Sequence, residues 1–273
     1  DAPEGETAVE PTEEAEEEMA EETTVEAGEC EAGFRPYEHF GGTTCIPEEP
    51  QRVITLQDQN ALLALWELGF RDIVGSAGAF NAEGEGIFRR LPLHGFDPVG
   101  VEFVGSIGEP NLETMASLNP DLIIGFNWQE ENYDAFSAIA PTVLLDFSGR
   151  TLNENVTQLA ELVNLEDEVV RLEAEYQQGI AALREAAGGD PSQVVISKIE
   201  TAASGGAEAG QFYIDAFGAP EQILRDAGFA RPALQLEIEE RTFLSVEGLP
   251  EHDADLLMRF GTTGLSDEDV VNA

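Results

Sequence analysis

Basic side chains are scarce: 13 Lys and Arg stand against 55 Asp and Glu in 273 residues, a formal charge of −42. A surface of that sign repels nucleic-acid phosphates and anionic headgroups alike, so neither nucleic acid nor bare membrane is an expected partner. Long apolar runs are missing too. No stretch approaches the roughly 20 residues that span a bilayer, and no basic region followed by an apolar run opens the chain. The chain starts at Asp1 rather than Met, as expected of a mature form whose signal has been removed and equally of an expression product. Histidine is limited to His39, His94 and His252, scattered without ligand spacing, so no direct site for bare zinc or manganese is expected. Catalytic signatures are absent: there is no G-x-S-x-G elbow, no Walker loop, no G-x-G-x-x-G after the first strand and no H-E-x-x-H pair. Ser204-Gly205-Gly206 could cradle a phosphate, but no Lys and helix start follow it, and it reads as a plain turn. Neither an enzyme nor a bound cofactor is expected.

The two cysteines, Cys30 and Cys45, bracket a short segment rich in Gly and aromatics. In an oxidising compartment they would pair, the closed loop stabilising the fold by roughly 3 kcal/mol in the chain-entropy model; two unpaired thiols are the alternative. Residues 1–29 are almost entirely Glu, Ala, Thr and Pro, whose like charges cannot collapse into a core. An extended, disordered tether is expected there, held at a membrane by a lipid anchor on the N-terminus or serving only as a solubilising tail. Residues 1–50 hold 17 acids and one base, which leaves 38 acids against 12 bases, a net −26, for the remainder. Such acidity with so little lysine suits high salt, where screening removes the self-repulsion, and suits an ordinary acidic protein as well.

After Pro50 short apolar runs alternate with amphipathic stretches. Val53–Leu56, Ile73–Val74, Leu122–Ile124, Val143–Leu145, Val194–Ile196 and Leu256–Met258 read as buried strands of parallel sheets, with helices at Gln59–Leu68 and Leu112–Leu118 between them. Trp66, one helical step from Leu62 and Leu65, is assigned to the core. Val169, Leu172, Tyr176, Ile180 and Leu183 recur at steps of three and four, which predicts one helix over 166–187, roughly 33 Å long, stopped by Gly188, Gly189 and Pro191. The expected organisation is a tether (1–29), a cysteine-bracketed segment (30–50), an α/β lobe (51–150), a helical linker (151–189) and a second α/β lobe (190–273). The fold class is therefore α/β, two βαβ lobes with parallel-type sheets joined by one long helix.

An internal repeat supports two lobes. Leu112-Glu113-Thr114-Met115, then Asn119 to Ile124, matches Val246-Glu247-Gly248-Leu249, then Asp253 to Met258; Glu113 precedes Asp121 by eight residues, as Glu247 precedes Asp255. In each copy the glutamate opens a helix, where the dipole favours it, and the aspartate precedes a strand. Coincidence within common βαβ grammar is the alternative to a shared design.

Several segments then fall in one order and spacing: Pro50-Gln51-Arg52-Val53-Ile54-Thr55-Leu56, Leu68-Gly69-Phe70 leading to Ile73-Val74-Gly75, Val104-Gly105 to Glu109-Pro110-Asn111-Leu112-Glu113, Asn119-Pro120-Asp121-Leu122-Ile123-Ile124, Ala140-Pro141-Thr142 and Leu244-Ser245-Val246-Glu247. From about Phe40 to the end the chain resembles the periplasmic binding proteins for ferric siderophores, cobalamin and haem. The resemblance implies two α/β lobes joined by a rigid helix, a shallow cleft between them and little closure on binding. It also implies an extracytoplasmic protein, here expected to be a monomer, and, by motif, that Glu113 and Glu247 pair with arginines of a dimeric ABC permease. Two carboxylates on separate lobes would report their spacing to a two-fold partner; helix-start glutamates that only cap are the alternative. The family plan further calls for a helix, a strand and a closing helix after Asp255–Met258. The sequence stops at Ala273 after one candidate helix near Asp267, so an incomplete second lobe is expected.

Ligands in α/β lobes meet loops at the carboxyl ends of strands. The candidates are Gln57, Asp58, Asn81 beside Phe80, Asn127 and Trp128 in the first lobe, and Gln211, Phe212, Tyr213, Arg231 and Arg241 in the second. Aromatic faces and arginine suit a chelator bearing carboxylate or catecholate oxygens. The duller alternatives are a lid over the core for Trp128, packing for Tyr213 and plain surface charge for Arg231 and Arg241. A preformed chelate needs no ligand atom from the protein, so a ferric siderophore is the first expectation. Haem or a corrinoid comes second, with Tyr213 as an axial candidate. Two rival classes are a sensor without a permease and a chelatase-like metal enzyme, for which two cysteines in a separate N-terminal segment supply too few ligands.

Overall fold

A computed structural model describes residues 30–81, 83–89, 98–148, 150–201, 210–215, 218–238 and 240–260. The expected tether at 1–29, the turn at Ser204–Gly206 and the helix near Asp267, with the completeness of the second lobe, lie outside the described residues.

β1 (Phe34–His39), whose residues alternate exposed and half-buried, and β2 (Gly42–Pro47), which ends in the buried Ile46 and Pro47, form an antiparallel hairpin, and the Cys30–Cys45 disulfide ties the chain ahead of β1 to β2. The tip of the hairpin covers a sheet edge described below.

The first lobe holds β3 (Val53–Thr55), β4 (Ile73–Phe80), β5 (Gly86–Ile87), β6 (Glu102–Ser106), β7 (Glu109–Pro110), β8 (Leu122–Phe126) and β9 (Thr142–Leu145), in the order β7-β6-β4-β3-β8-β9 with β5 on β4. Neighbours from β6 to β9 are parallel, while β5 and β7 return antiparallel. Every residue of β8 and β9 is buried, as helices on both faces require. Alternation sends Val53, Leu122 and Ile124 into one core with α1 (Leu63–Glu67), and Ile54 and Ile123 into another with α2 (Leu112–Ser117) and α3 (Tyr133–Ser137). Trp66 is not a core residue outright: it is half-buried against the first core, with Arg71 lying 3.5 Å over its ring. The edge strand β9 is blunted by the hairpin, Phe40 donating its N–H to Leu144 O at 2.9 Å while His39 Nδ1 accepts from Leu144 N at 3.2 Å.

Thr151 and Glu154 cap each other at the start of α4 (Leu152–Val163), Asn164 turns the chain at φ 54°, and α5 (Glu166–Ala186) follows for 21 residues, about 32 Å. Near its start Arg171 donates to Glu67 O at 2.9 Å; further on Tyr176 donates to Asp226 Oδ2 at 2.7 Å and Arg184 to Ala227 O at 3.2 Å. The helix thus touches the first lobe at one end and the second at the other.

The second lobe contains β10 (Ile196–Glu200), β11 (Gln211–Ile214), α6 (Ala219–Ala227), α7 (Ala233–Leu236), β12 (Thr242–Ser245) and β13 (Leu256–Phe260), ordered β12-β11-β10-β13. Here the expectation of a parallel-type sheet needs correction. β13 runs parallel to β10, but β11 is antiparallel to both β10 and β12. The ten residues between β10 and β11 are fewer than the dozen or more that a crossover between parallel neighbours needs. The repeat nonetheless has a shared structural role: Asp121 accepts from Gln51 N and Arg52 N at 2.7 and 2.9 Å beside β3, and Asp255 accepts from Val195 N at 2.8 Å beside β10. Each aspartate anchors the parallel neighbour of its own strand. No helix among the described residues is long and apolar enough to cross a membrane.

Candidate functional site

Because β4, β3, β8 and β9 are parallel neighbours, the residues that follow them share one edge of the first sheet. Gln57, Asp58, Asn81, Asn127 and Trp128 all lie there, but they behave differently. Gln57 accepts from Asn60 N and caps a wide turn over Asp58–Leu62. Asp58 is wholly buried and accepts from Arg89 N at 2.6 Å and Arg89 Nη2 at 2.8 Å. Gln59, in the amide orientation that satisfies both groups, accepts from the same guanidinium at 2.9 to 3.1 Å. Asn81 organises the β4–β5 turn, accepting from Glu83 N and Glu85 N at 3.1 and 2.8 Å. Asn127 ties β8 to β9: its Nδ2 donates to Asp146 Oδ1 at 2.9 Å and its Oδ1 accepts from Trp128 N at 3.1 Å. Hydrogen bonds from Ser148 hold the Asp146 carboxyl below the usual range. Trp128 stacks on Phe126, centroids 4.6 Å apart and planes 1° from parallel, yet leaves 53% of its surface exposed. It offers a flat aromatic face at the strand ends.

In the second lobe the register Glu200↔Tyr213↔Phe243 brings the end of β10 beside the middles of β11 and β12. Lys198 is the single lysine of the chain. Its ammonium sits 2.6 Å from Asp215 Oδ1 and 2.9 Å from Glu200 Oε1, and Tyr213 donates to Glu200 Oε2 at 2.5 Å. Arg241 lies 4.5 Å over the Tyr213 ring and 3.5 Å from Asp215 Oδ2. Burial raises the Tyr213 pKa, and the hydrogen bond and charge of Glu200 push the same way, so the phenol keeps its proton and donates. Burial also pushes Glu200 up, but hydrogen bonds from Tyr213 and Lys198 and the charges of Lys198 and Arg241 outweigh it and hold the carboxyl below its ordinary value. The cluster therefore alternates acids and bases, with Arg241 and the exposed Phe243 at its outer side.

Two second-lobe candidates lie elsewhere. Phe212 is wholly buried in the core. Arg231 donates to Ile196 O at 2.8 Å, to Gln235 Oε1 at 2.6 Å and to Glu221, at the start of β10 rather than its carboxyl end. It clamps helices to the sheet, because a guanidinium so nearly buried needs all its partners inside the lobe. Sequence reasoning missed Arg89, Lys198 and Asp215. A cation inside the apolar run 194–199 was the available signal for Lys198; nothing local marks Arg89, 31 positions from its partner.

Glu113 lies exposed in the first turn of α2, and Glu247 exposed in the first turn of a 3₁₀ segment, Val246–His252. Glu247 follows β12, whose carboxyl end lies at the same sheet edge as that of β10, whereas Arg241 precedes β12; Glu113 follows β7, which returns antiparallel beside the carboxyl end of β6.

The family model described as periplasmic binding protein matches residues 82–270. The chain is 32% identical over 238 residues to the probable siderophore-binding lipoprotein YfiY of Bacillus subtilis, covering 83% of this chain and 68% of that protein. It is 32% identical over 150 residues to the petrobactin-binding protein YclQ of the same organism, covering 53% and 44%. Thus it spans about two thirds of one relative's length and under half of the other's. Two solved structures share its fold: Staphylococcus aureus SirA complexed with staphyloferrin B, at TM-score 0.68 and 24% identity over 87% of this chain and 80% of that one, and an FhuD fold-family protein of Bacillus subtilis, at TM-score 0.69 and 23% identity over 87% and 84%.

Proposed function

The chain belongs to the periplasmic binding protein family, whose members work outside the cytoplasm, and from that premise we propose that it captures a ferric siderophore-type iron chelate between its lobes and hands it to a dimeric ABC permease. In this reading it binds rather than catalyses, as a monomer tethered by its acidic tail to a lipid anchor, and iron enters as cargo inside the chelate. The observation that carries the proposal is an exposed aromatic face on each lobe, Trp128 at the strand ends of the first and Phe243 on β12 of the second, the latter backed by the buried Tyr213 with Arg241 over its ring. Flat, weakly hydrated faces suit the organic shell of a chelate, and a guanidinium suits its carboxylate or catecholate oxygens. Gln57 and Asn127 add polar contacts in this reading. Asp58 and Asn81 shape the wall through Arg89 and the β4–β5 turn, and Arg231 serves the scaffold. The siderophore-binding name of the YfiY relative points the same way.

Titration with ferric citrate, a ferric tris-catecholate, a ferric tris-hydroxamate, haem and cobalamin, followed by tryptophan emission, tests the ligand. Saturable quenching at micromolar concentration or below by a ferric chelate is expected; binding of a tetrapyrrole alone, or of none, overturns the proposal. For delivery, Glu113→Arg and Glu247→Arg should each leave chelate affinity unchanged and lower uptake by cells. Lost affinity with normal uptake would remove the docking role.

A further inference from the structure

Between α1, α4, α5 and the start of α6 lies a cavity of about 490 Å³, inside the size range of small-molecule sites. Most of its wall is hydrocarbon: Leu63 and Ala64 from α1, Leu152 and Val156 from α4, Leu172 and Tyr176 from α5. All six are only partly buried, so the apolar faces turned to the cavity are left without packing partners. Three polar side chains of the wall have partners already. Gln222 Oε1 accepts from Leu152 N at 2.9 Å, Tyr176 donates to Asp226 Oδ2 at 2.7 Å, and Gln59 accepts from Arg89. A guest is therefore offered dispersion contacts and apolar burial rather than hydrogen bonds. Water finds few groups there to bind.

Position and charge narrow the guest. Gln59 lines the cavity and, with its neighbour Asp58, holds Arg89, so the cavity shares a wall with the strand-end groups of the first lobe. The Leu152–Gln222 hydrogen bond joins the linker region to the second lobe at the same place. The ionisable carboxyls on the wall, Glu67 and Glu173, are both acids, in a chain of net charge −42. A carboxylate-headed chain is repelled, whereas a neutral one is not.

We propose that this cavity binds the hydrocarbon chain of an amphiphilic ligand whose uncharged or metal-chelating head lies at the strand ends of the first lobe. The head's identity rests on the chelate reading above; the chain site rests on the cavity's own walls. Titration of the whole chain with the neutral dye Nile red should give saturable emission at one site. Ala64→Phe and Val156→Trp each place side-chain volume in the cavity and should weaken dye binding at least about ten-fold, with the fold checked by circular dichroism. Octanohydroxamic acid should displace the dye at least about ten-fold better than acetohydroxamic acid, and better than octanoate. The proposal fails if the dye does not bind, if both folded variants bind it as the parent does, or if chain length makes no difference. Chain-length discrimination without binding of any ferric chelate keeps the cavity site and removes the chelate reading. Chelate binding with no dye site keeps that reading and removes this proposal.

Discussion

Replacing Lys198 by Met tests the charge cluster that builds the second lobe's edge. The lysine side chain is 1% exposed and that of Asp215 3% exposed, with the ammonium 2.6 Å from one carboxylate and 2.9 Å from Glu200. Methionine keeps most of the stem's packing and removes the charge, leaving Asp215 with Arg241 at 3.5 Å. Breaking a buried pair from one side costs about 3–5 kcal/mol. Arg241, 37% exposed on its side chain, offsets part of that, so a loss of about 3 kcal/mol in unfolding by denaturant is expected. Adding Asp215→Asn removes the orphaned charge and should recover about 2 kcal/mol, the coupling read from the double-mutant cycle. A second assay is direct. With one lysine in the chain, acylation by an amine-reactive ester, mapped to the peptide that carries Lys198, reports opening of the second lobe. Native protein should react on the order of a thousand-fold more slowly than the unfolded chain. Lysine acylation at equal rates in native buffer and denaturant, or a Lys198→Met loss under about 1 kcal/mol, would refute the buried cluster.

Cys30→Ser with Cys45→Ser should lower stability by about 3 kcal/mol, as expected for a loop of this size, seen as a lower thermal midpoint unaffected by reductant. Burial lowers the His39 pKa to about 4, and its Nδ1 accepts from Leu144 N and Gly41 N, so the ring is neutral in the fold. The unfolded chain takes up that proton first as pH falls from about 6.5 to about 4, so stability is lost across that window, by about 1–2 kcal/mol after discounting for the solvent the ring still meets. His39→Gln should flatten this part of the denaturant midpoint against pH, and an unchanged slope would count against it. Gly105 has φ 109° and its missing Cβ would meet Glu109 O and Asn111 N at 2.9 Å. Gly105→Ala should therefore cost about 1–3 kcal/mol and disturb the turn that presents Glu113, measured as weaker uptake with ligand affinity retained.

Much of the first lobe and the linker is legible from local pattern. The apolar runs at 53–56 and 122–124 are strands because helices cover both faces, and the three-and-four recurrence from Val169 to Leu183 is α5. The glutamate–aspartate repeat was readable as spacing, though its role, an aspartate holding the neighbouring strand's N–H groups, appears only with the sheet assembled. The second sheet was harder. β11, the four-residue run Gln211–Ile214 set antiparallel between β10 and β12, was not among the runs read as strands, because so short a run carries too little pattern to be told from a loop. Among the candidate site residues, Asp58, Asn81 and Arg231 turned out to have structural partners that no local feature announces.

By itself the sequence determined the α/β class, the long helix and the family, because each is written in periodicities and motifs that span a few residues. Only the tertiary structure decided which charges meet in the second lobe, which edge the first lobe's candidate groups share and that a cavity opens between four helices. Those features arise from contacts between residues tens of positions apart, and the geometry of such contacts is set by how whole elements pack rather than by any local pattern.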